Sequence, residues 1–210
     1  MFIVLVNVRS GWNVGSVMRT CDALGAKLIL VGYTPKPVGS SLKLIQKTAI
    51  GAEKTVAWQH FSHWNEVLTE LATDYLHIAI EISSTSQDLF WFLQIWRELV
   101  VKTTSKLELD LQSHSSFQHL NQEKWEILKT VNLDKICLWF GNEIHGLETV
   151  LCKQLDFELH LPMKGAKESL NVANTVCAVG YLCSWFKVFN QNYPSQIESN
   201  QIKSNQIELN

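Results

Sequence analysis

FIVLVNVRSGWNVGSVMRTCDALGAKLILV, residues 2–31, is the stretch that decides the fold. The continuous apolar run Phe2–Val6 predicts a strand buried on both faces. Apolar residues then recur at helical spacing over Val14–Leu24, with Asn13 before them and a glycine after them, which are start and stop signals of a helix. A second apolar run, Lys27–Val31, predicts another strand. A strand, a helix and a strand in this order are typical of a parallel α/β unit.

The same alternation continues along the rest of the chain. Short apolar runs predict three more strands, and stretches with helical periodicity predict three more helices. The pattern indicates an α/β fold in which helices flank a parallel sheet on both faces. The further predicted strands are His77–Ile82, Ile136–Phe140 and Phe157–Leu161, and the further predicted helices are Ser41–Ala49, Trp64–Ala72 and Ser169–Val188.

Two regions depart from this alternation. Residues 88–132 combine the amphipathic-looking DLFWFLQIWRELV with a polar stretch, and we interpret them as an insertion that carries one or two helices around a flexible loop. Residues 191–210 end in the repeats QIESN, QIKSN and QIELN, whose polar, low-complexity composition predicts disorder. We therefore expect one domain over residues 1–190, which contains the insertion, and a disordered tail.

Composition and charge narrow the functional class. The chain of 210 residues is 46% hydrophobic and 18% charged, as an ordinary globular protein is. Residues 1–54 contain seven Lys and Arg against two Asp and Glu, a net charge of +5, whereas the remaining residues contain eleven against eighteen, a net charge of −7. A basic segment on an acidic body favours an anionic partner such as nucleic acid, although charge also fluctuates along any chain.

Other classes of protein fit the sequence poorly. No apolar stretch approaches the roughly 20 residues that span a bilayer. The N-terminus lacks the basic region and the cleavage site of a signal peptide, so we expect a cytoplasmic protein that makes no membrane contact. The five cysteines form no C-x-x-C pair and indicate buried free thiols. None of the seven histidines has ligand spacing, so we expect no metal.

The first motif, Asn7–Ala26, runs from the end of a strand through a polar loop into a helix. Its polar residues therefore lie at the carboxyl end of a strand, where open α/β sheets bind ligands. Arg19, on the first part of the helix, is placed to hold a phosphate beside the exposed helix N–H groups. A capped helix with Arg19 in a structural salt bridge explains the same residues equally well.

Two later motifs follow strands in the same way. In FGNEIHGLE, Phe140–Glu148, a glycine and an asparagine mark a tight turn, and Glu143 is expected to open the next helix, where its charge suits the helix dipole. In LHLPMKGAKESLNVANTVCAVGYL, Leu159–Leu182, Ser169 is expected to cap a long apolar helix and Asn171 to lie in its first turn. Simple N-capping and a buried core helix are the structural alternatives.

Together and in this order, the three motifs resemble the SpoU/TrmH family of the SPOUT superfamily, the RNA 2′-O-ribose methyltransferases. The matching elements are Asn13–Arg19, Gly141–Leu147 and Leu161–Val172. The resemblance implies a parallel sheet whose C-terminal part is tied in a trefoil knot, a rare exception to the rule that chains do not thread. It also implies S-adenosylmethionine as cofactor, RNA as partner, and a homodimer with the site built across the interface.

The resemblance also implies roles for individual residues. The cofactor is expected to lie against the loops after the third, fourth and fifth predicted strands, and the family's proposed base is the arginine at position 19. Because an arginine normally stays protonated, Arg19 has two candidate roles: taking the proton of a ribose 2′-hydroxyl, or orienting that oxygen and its phosphate. The expected catalytic residues are Arg19, Asn13, Glu143, Ser169 and Asn171. The expected cofactor-binding residues are Ile80, Glu81, Gly141, Asn142, Leu161, Met163, Ser169 and Leu170.

Three functional hypotheses follow. The first is methyl transfer from S-adenosylmethionine to a ribose 2′-hydroxyl of RNA, with tRNA favoured slightly over ribosomal RNA. The second is a non-catalytic RNA-binding or assembly protein on the same knotted fold. The third, a methyltransferase of the ordinary Rossmann type, is discounted because the loop after Phe2–Asn7 lacks the G-x-G pattern that such an enzyme needs.

Overall fold

The computed structural model describes residues 1–71, 74–104, 124, 127 and 134–192. The strands in these residues are β1 (Phe2–Val6), β2 (Lys27–Val31), β3 (Trp58–Phe61), β4 (Leu76–Ile80), β5 (Gln87–Asp88), β6 (Ile136–Phe140) and β7 (Phe157–His160). The helices are α1 (Gly11–Leu24), α2 (Leu42–Ala49), α3 (Trp64–Leu71), α4 (Leu89–Thr104), α5 (Thr149–Cys152) and α6 (Val172–Asn192), with 3-10 turns at Gly39–Ser41 and Ala52–Lys54.

The strands form one sheet in the order β3-β2-β1-β6-β4-β7-β5. Every neighbouring pair is parallel, so the carboxyl ends of all the strands lie at one edge of the sheet. β1 lies between β2 and β6, and its Phe2 is in register with Lys27 and Cys137. The predicted parallel α/β architecture is thereby confirmed, whereas the trefoil knot stays a prediction.

The strand predictions succeeded where both faces are buried. β1, β2 and β6 have the predicted bounds, because a continuous apolar run leaves no face for solvent. β4 runs from Leu76 to Ile80 rather than from 77 to 82, and β7 ends at His160 rather than at 161. Sequence analysis missed β3, whose WQHF mixes polar and aromatic residues, and β5, which is only two residues long.

The start of α1 corrects a prediction. The helix begins at Gly11 rather than at Val14, because Ser10 caps it by accepting a hydrogen bond from the Asn13 N–H at 3.3 Å. Asn13 therefore lies in the first turn of the helix instead of preceding it. The helix ends as predicted, at Leu24, where Gly25 has the left-handed φ of 63° that favours glycine. α2 and α3 fall within the ranges predicted for them.

The chain divides into two compact units. The first unit combines Met1–Phe92 with Val131–Tyr181, and it contains the sheet and all of α1, α2 and α3. The second combines Leu93–Thr130 with Leu182–Asn210, and its Trp96 and Phe186 are buried, with ring centroids 5.5 Å apart. Most of the predicted insertion, and residues 193–210 of the predicted tail, lie outside the described residues, so both stay predictions.

A buried cluster fills one face of the sheet in the first unit. Side chains that alternate along β1, such as Val4 and Val6, pack there with Trp139 of β6 and with Val67 of α3. Trp139 is fully buried, and its indole Nε1 donates a hydrogen bond to His77 Nδ1 at 3.1 Å. The cluster thus holds β1, β4 and β6 side by side and positions the loops that follow them.

The five cysteines are free thiols, as predicted, but only three of them are buried: Cys152 is half-buried and Cys177 is exposed. Burial raises the pKa of Cys21 and of Cys183 to about 12, so both stay protonated at neutral pH. No helix within the described parts of the chain is both long and apolar enough to cross a membrane. The same parts contain no group of three or more His, Cys, Asp or Glu that could hold a metal ion.

Candidate functional site

A cavity of about 340 Å³ opens at the carboxyl edge of the sheet. Its walls are the loops that follow β4, β6 and β7, which adjacent positions in the strand order bring together. Each of the eight residues predicted to bind the cofactor lines this cavity, as do Glu143 and Asn171 from the predicted catalytic set. Parallel sheets place ligands at this edge, and three separate segments of the sequence, within residues 80–82, 140–146 and 160–175, meet there.

The turn after β6 is organised around Asn142, whose side chain is buried. Its Nδ2 donates to the carbonyl oxygen of Asn7 and to the hydroxyl of Tyr33, each at 2.7 Å. Its Oδ1 accepts from the N–H groups of Ile144 and His145 at 2.8 and 3.1 Å. The amide of Asn142 is therefore fully used inside the protein, and it shapes the cavity wall without reaching for a ligand.

Glu81 ties the loop after β4 to the same turn. Its carboxylate accepts hydrogen bonds from the Leu147 N–H at 2.7 Å and from the Ile82 N–H at 3.0 Å. The turn after β6 packs closely on itself and on Glu81 because Gly141 and Gly146 lack side chains. A Cβ on Gly141 would collide with the backbone of the turn, and a Cβ on Gly146 would collide with the Glu81 carboxylate. Two of the cavity walls are thus joined by one carboxylate.

Glu143 does not open a helix, which corrects the sequence prediction. It lies in the turn, and the next helix, α5, begins only at Thr149. Its carboxylate instead accepts the N–H groups of Arg9 and Ser10, at 2.9 and 3.2 Å, in the loop before α1. Partial burial raises the pKa of Glu143, but these hydrogen bonds, with one from Asn13, outweigh that effect and hold the pKa below its ordinary value.

A chain of side-chain hydrogen bonds joins α1, the turn after β6 and α6. Asn13 Nδ2 donates to Glu143 Oε1 at 2.9 Å, and Asn13 Oδ1 accepts from Asn171 Nδ2 at 3.1 Å. Asn171 Oδ1 in turn accepts the Ala173 N–H at 2.9 Å, which makes Asn171 the N-cap of α6. The cap is therefore Asn171 and not Ser169, because the helix begins at Val172, and Ser169 lies in the loop on the cavity wall.

Arg19 is the one predicted catalytic residue that lies apart. It is exposed on α1 and lines a second cavity of about 450 Å³, with Lys47 and Tyr181 among the residues around it. No residue in the described ranges forms a hydrogen bond or an ion pair with the Arg19 side chain. The structural salt bridge that offered an alternative explanation of Arg19 is thus absent from those ranges. Nearby, the Lys47 ammonium lies 4.9 Å from the ring centroid of the exposed Trp12.

The matching family model shows to which family the chain belongs. The model described as the SpoU rRNA Methylase family matches residues 1–181, which include each cavity-lining loop and Arg19. The chain belongs to the SpoU methylase family. A comparison with curated proteins finds no match.

Solved structures support the fold of this SpoU methylase family member. An A. aeolicus TrmH/SpoU tRNA modifying enzyme is 20% identical over 96% of this chain and 84% of its own, with a TM-score of 0.63. A structure reported for the 2-OH methylation of C/U34 on tRNA is 19% identical over 89% of this chain and 95% of its own, with a TM-score of 0.62.

A third neighbour is an AdoMet-bound rRNA methyltransferase from Sinorhizobium meliloti. It is 19% identical over 87% of this chain and has a TM-score of 0.60. The chain spans only 54% of the length of that protein. At such identities the likeness establishes the fold that this SpoU methylase family member shares with its neighbours.

Sequence reasoning missed two residues that line these cavities, His160 and Lys47. His160 lines the main cavity, and its position directly before Leu161 at the end of a strand was a signal that the motif comparison passed over. Lys47 lines the Arg19 cavity, but only the fold brings α2 beside α1. The sequence signal for Lys47 was the excess of basic residues before position 55.

Proposed function

We propose that this SpoU-family protein is an RNA methyltransferase that transfers a methyl group from S-adenosylmethionine to a ribose 2′-hydroxyl in the cytoplasm. The observation that carries the proposal is the convergence of the eight expected cofactor residues on one cavity, which a hydrogen-bonded chain joins to α1. The family match and the AdoMet-bound neighbour support the same assignment.

The residues that line the cavity fit S-adenosylmethionine. Apolar side chains from each loop, including Ile80 and Leu161, suit a purine ring, and the volume of about 340 Å³ lies in the range of small-molecule sites. Glu81 and Glu143 also line the cavity, and two carboxylates favour a ligand that carries a positive sulfonium. When bound, the cofactor supplies an electrophilic methyl group. Ser169 and Leu170 close the wall on the side of α6.

Arg19 is the residue that we assign to the ribose. A 2′-hydroxyl is a weak nucleophile, so it needs accurate placement and a proton acceptor. The guanidinium of Arg19 is exposed and can hold the neighbouring phosphate by two parallel hydrogen bonds, which orients the 2′-oxygen. Proton removal by Arg19 itself is the second role, and it requires a site that lowers the proton affinity of the guanidinium.

A second copy of the chain would bring Arg19 to the cavity. Within one chain, Arg19 and the cofactor cavity are separate, although the hydrogen bonds from Asn171 to Asn13 and from Asn13 to Glu143 pass through the first turn of the same helix. Around Arg19, the exposed Tyr181 and Trp12 offer apolar surface that a partner copy can cover. We therefore propose a homodimer in which Arg19 of one copy acts beside the cofactor of the other.

We propose tRNA, slightly ahead of ribosomal RNA, as the substrate class. The two tRNA-related neighbours match this chain over 84% and 95% of their own lengths, whereas the rRNA enzyme does so over 54%. The basic segment of residues 1–54 supplies the positive charge that an RNA backbone requires. One observation favours a non-catalytic RNA-binding protein instead, namely the separation of Arg19 from the cavity.

Methyl transfer from labelled S-adenosylmethionine to unmodified tRNA and, separately, to unmodified ribosomal RNA tests the proposal. We expect label in one RNA as an alkali-resistant dinucleotide, which marks a methylated ribose, and its loss in an Arg19→Ala variant. RNA binding that is intact in both proteins, with no label from either, would instead establish the non-catalytic protein.

A further inference from the structure

His160 is a polar cavity residue to which the catalytic scheme above gives no role. It is the last residue of β7, it is half-buried, and it lines the main cavity beside Leu161. Along β7 the burial alternates, so that His160 shares a face with Glu158 and not with the buried Leu159. That face contacts the turn formed by residues 83–86.

The turn is docked on β7 by two side-chain hydrogen bonds. Thr85 Oγ1 donates to Glu158 Oε2 at 2.9 Å, and Ser86 Oγ lies 3.0 Å from His160 Nδ1. Within the turn, Ser83 Oγ accepts the N–H groups of Thr85 and Ser86, each at 3.1 Å. The imidazole is therefore held against a turn that has its own internal hydrogen bonds, so its orientation is set before any ligand arrives.

The hydrogen bonds of Ser86 favour one tautomer of His160. A hydroxyl has one hydrogen to donate and two lone pairs that accept. Ser86 Oγ lies 3.1 Å from the carbonyl oxygen of Ser83, to which it can donate that hydrogen. The Ser83 N–H donates to Ser86 Oγ at 3.0 Å, and the remaining lone pair faces His160 Nδ1. This arrangement favours the neutral tautomer of His160 that carries its proton on Nδ1.

In that tautomer Nε2 is a lone-pair acceptor on a residue that lines the cavity. No residue in the described ranges of the chain hydrogen-bonds to it. A partner for Nε2 must be a group that carries a hydrogen, such as the amino group of a purine or a ribose hydroxyl. A neutral acceptor also suits a cationic cofactor better than an imidazolium would.

We propose that His160 is a cofactor-positioning residue, whose Nε2 accepts a hydrogen bond from an amino or hydroxyl group of S-adenosylmethionine. The proposal rests on the function proposed above, because it takes that cofactor as the ligand of the cavity. Ser86 is the residue that fixes the ring, so its contribution is indirect. The loops around His160 are those assigned to the cofactor, which is why the cofactor and not an RNA nucleotide is the partner.

Two amide variants distinguish the role of Nδ1 from the role of Nε2. The amide of His160→Asn reaches the position of Nδ1, whereas the amide of His160→Gln reaches the position of Nε2. Calorimetric titration with S-adenosylmethionine should give an affinity within about threefold of wild type for His160→Gln and about five- to tenfold weaker for His160→Asn, the range of one hydrogen bond. Ser86→Ala should weaken binding by about threefold, because the ring loses its anchor.

The decisive readout is which of the two variants binds S-adenosylmethionine more tightly. If His160 only anchored the turn, His160→Asn would bind the cofactor as well as wild type does and His160→Gln would bind it worse. That order would overturn the proposal, as would variants that raise the KM for RNA without changing cofactor affinity. Wild-type protein that binds no S-adenosylmethionine would overturn the proposed function as well, so the two failures are distinguishable.

Discussion

The cavity proposed for the cofactor and the surface formed by Arg19, Lys47, Thr48 and Tyr181, here called the Arg19 surface, differ in how their polar groups are bonded. At the cavity, the side chains of Asn142, Glu81 and Glu143 form hydrogen bonds with other groups of the same chain. On the Arg19 surface, the guanidinium has no such bond to any described residue, and the neighbouring Tyr181 is exposed. Both regions carry residues of the same family motifs, yet only the first is already ordered by its own contacts.

This difference indicates that the two regions have different roles in binding. A satisfied hydrogen-bond network fixes loop geometry before a ligand binds, which reduces the entropy lost on binding. An exposed arginine keeps its hydration and its charge until a phosphate or a partner surface approaches. The cavity is therefore expected to bind cofactor in the absence of RNA, whereas the Arg19 surface acts only in the complex.

The largest expected effect comes from Arg19→Ala. We expect methyl transfer to fall by about 10²- to 10⁴-fold, the usual range for a group that activates or orients a nucleophile. Cofactor affinity should stay within about twofold of wild type, because Arg19 is assigned to the ribose and phosphate of the RNA and not to the cofactor. Arg19→Lys is the matched control, since it keeps the charge and loses the planar pair of donors. Equal loss of cofactor binding would show that Arg19 holds the cofactor rather than the RNA.

Asn142→Ala should have the largest effect on stability. It leaves the Asn7 carbonyl, the Tyr33 hydroxyl and two N–H groups of the turn without their partner. We expect a loss of about 2–4 kcal/mol in the free energy of unfolding, measured in urea, and at least tenfold weaker cofactor binding. Asn142→Asp, which keeps the Oδ1 acceptor and replaces the Nδ2 donor with a second acceptor, should have a stability between those of wild type and Asn142→Ala. An unchanged midpoint would contradict the role of the turn.

Glu143→Gln tests whether the negative charge of Glu143 stabilises the protein, and it predicts how the stability depends on pH. Because the folded pKa of Glu143 is lowered, its contribution to stability is fully present above about pH 4.3, the ordinary glutamate pKa, and is lost as pH falls through the lower folded value. We expect the variant to be less stable than wild type by about 1 kcal/mol at pH 7. The difference should shrink below pH 4. A constant difference at every pH would exclude the carboxylate charge as its cause.

Thr48→Val, on the Arg19 surface, is expected to have the smallest effect on stability. Thr48 Oγ1 donates to the Trp12 carbonyl oxygen at 2.7 Å, and the substitution keeps the shape of the side chain. An exposed hydrogen bond of this kind should cost about 0.5 kcal/mol of stability. Cofactor affinity should not change. A shift in that affinity would mean that the Arg19 surface and the cavity are coupled within one chain.

The sequence predicted the buried strands and most of the cavity, for one physical reason. A strand such as β1 is apolar on both faces, so its pattern is independent of its neighbours, and the loop that follows it starts at a known place. β3 could not be found in this way, because its exposure depends on its position at the sheet edge. The three wrong predictions of helix starts, at Asn13, Glu143 and Ser169, arose because the first residue of a helix is the least certain part of a sequence-based assignment.

The partners of the site residues were beyond sequence reasoning. Nothing in the order of residues indicates that Glu143 accepts the N–H groups of Arg9 and Ser10, which precede it by more than 130 positions. The same holds for the contact between Asn13 and Asn171. These contacts depend on the order of strands in the sheet, which a single sequence does not give.

Subunit mixing tests the central claim that two copies complete one site. Arg19→Ala keeps the cavity, and Leu170→Trp, which fills the cavity from an exposed wall position, keeps Arg19. Each variant alone should be inactive. After subunit exchange of an equal mixture, half of the dimers are mixed and each has one intact site, so methyl transfer should return to about a quarter of the wild-type rate. A fully exchanged mixture that stays inactive would contradict the account, because Arg19 would then have to act within its own chain or not at all.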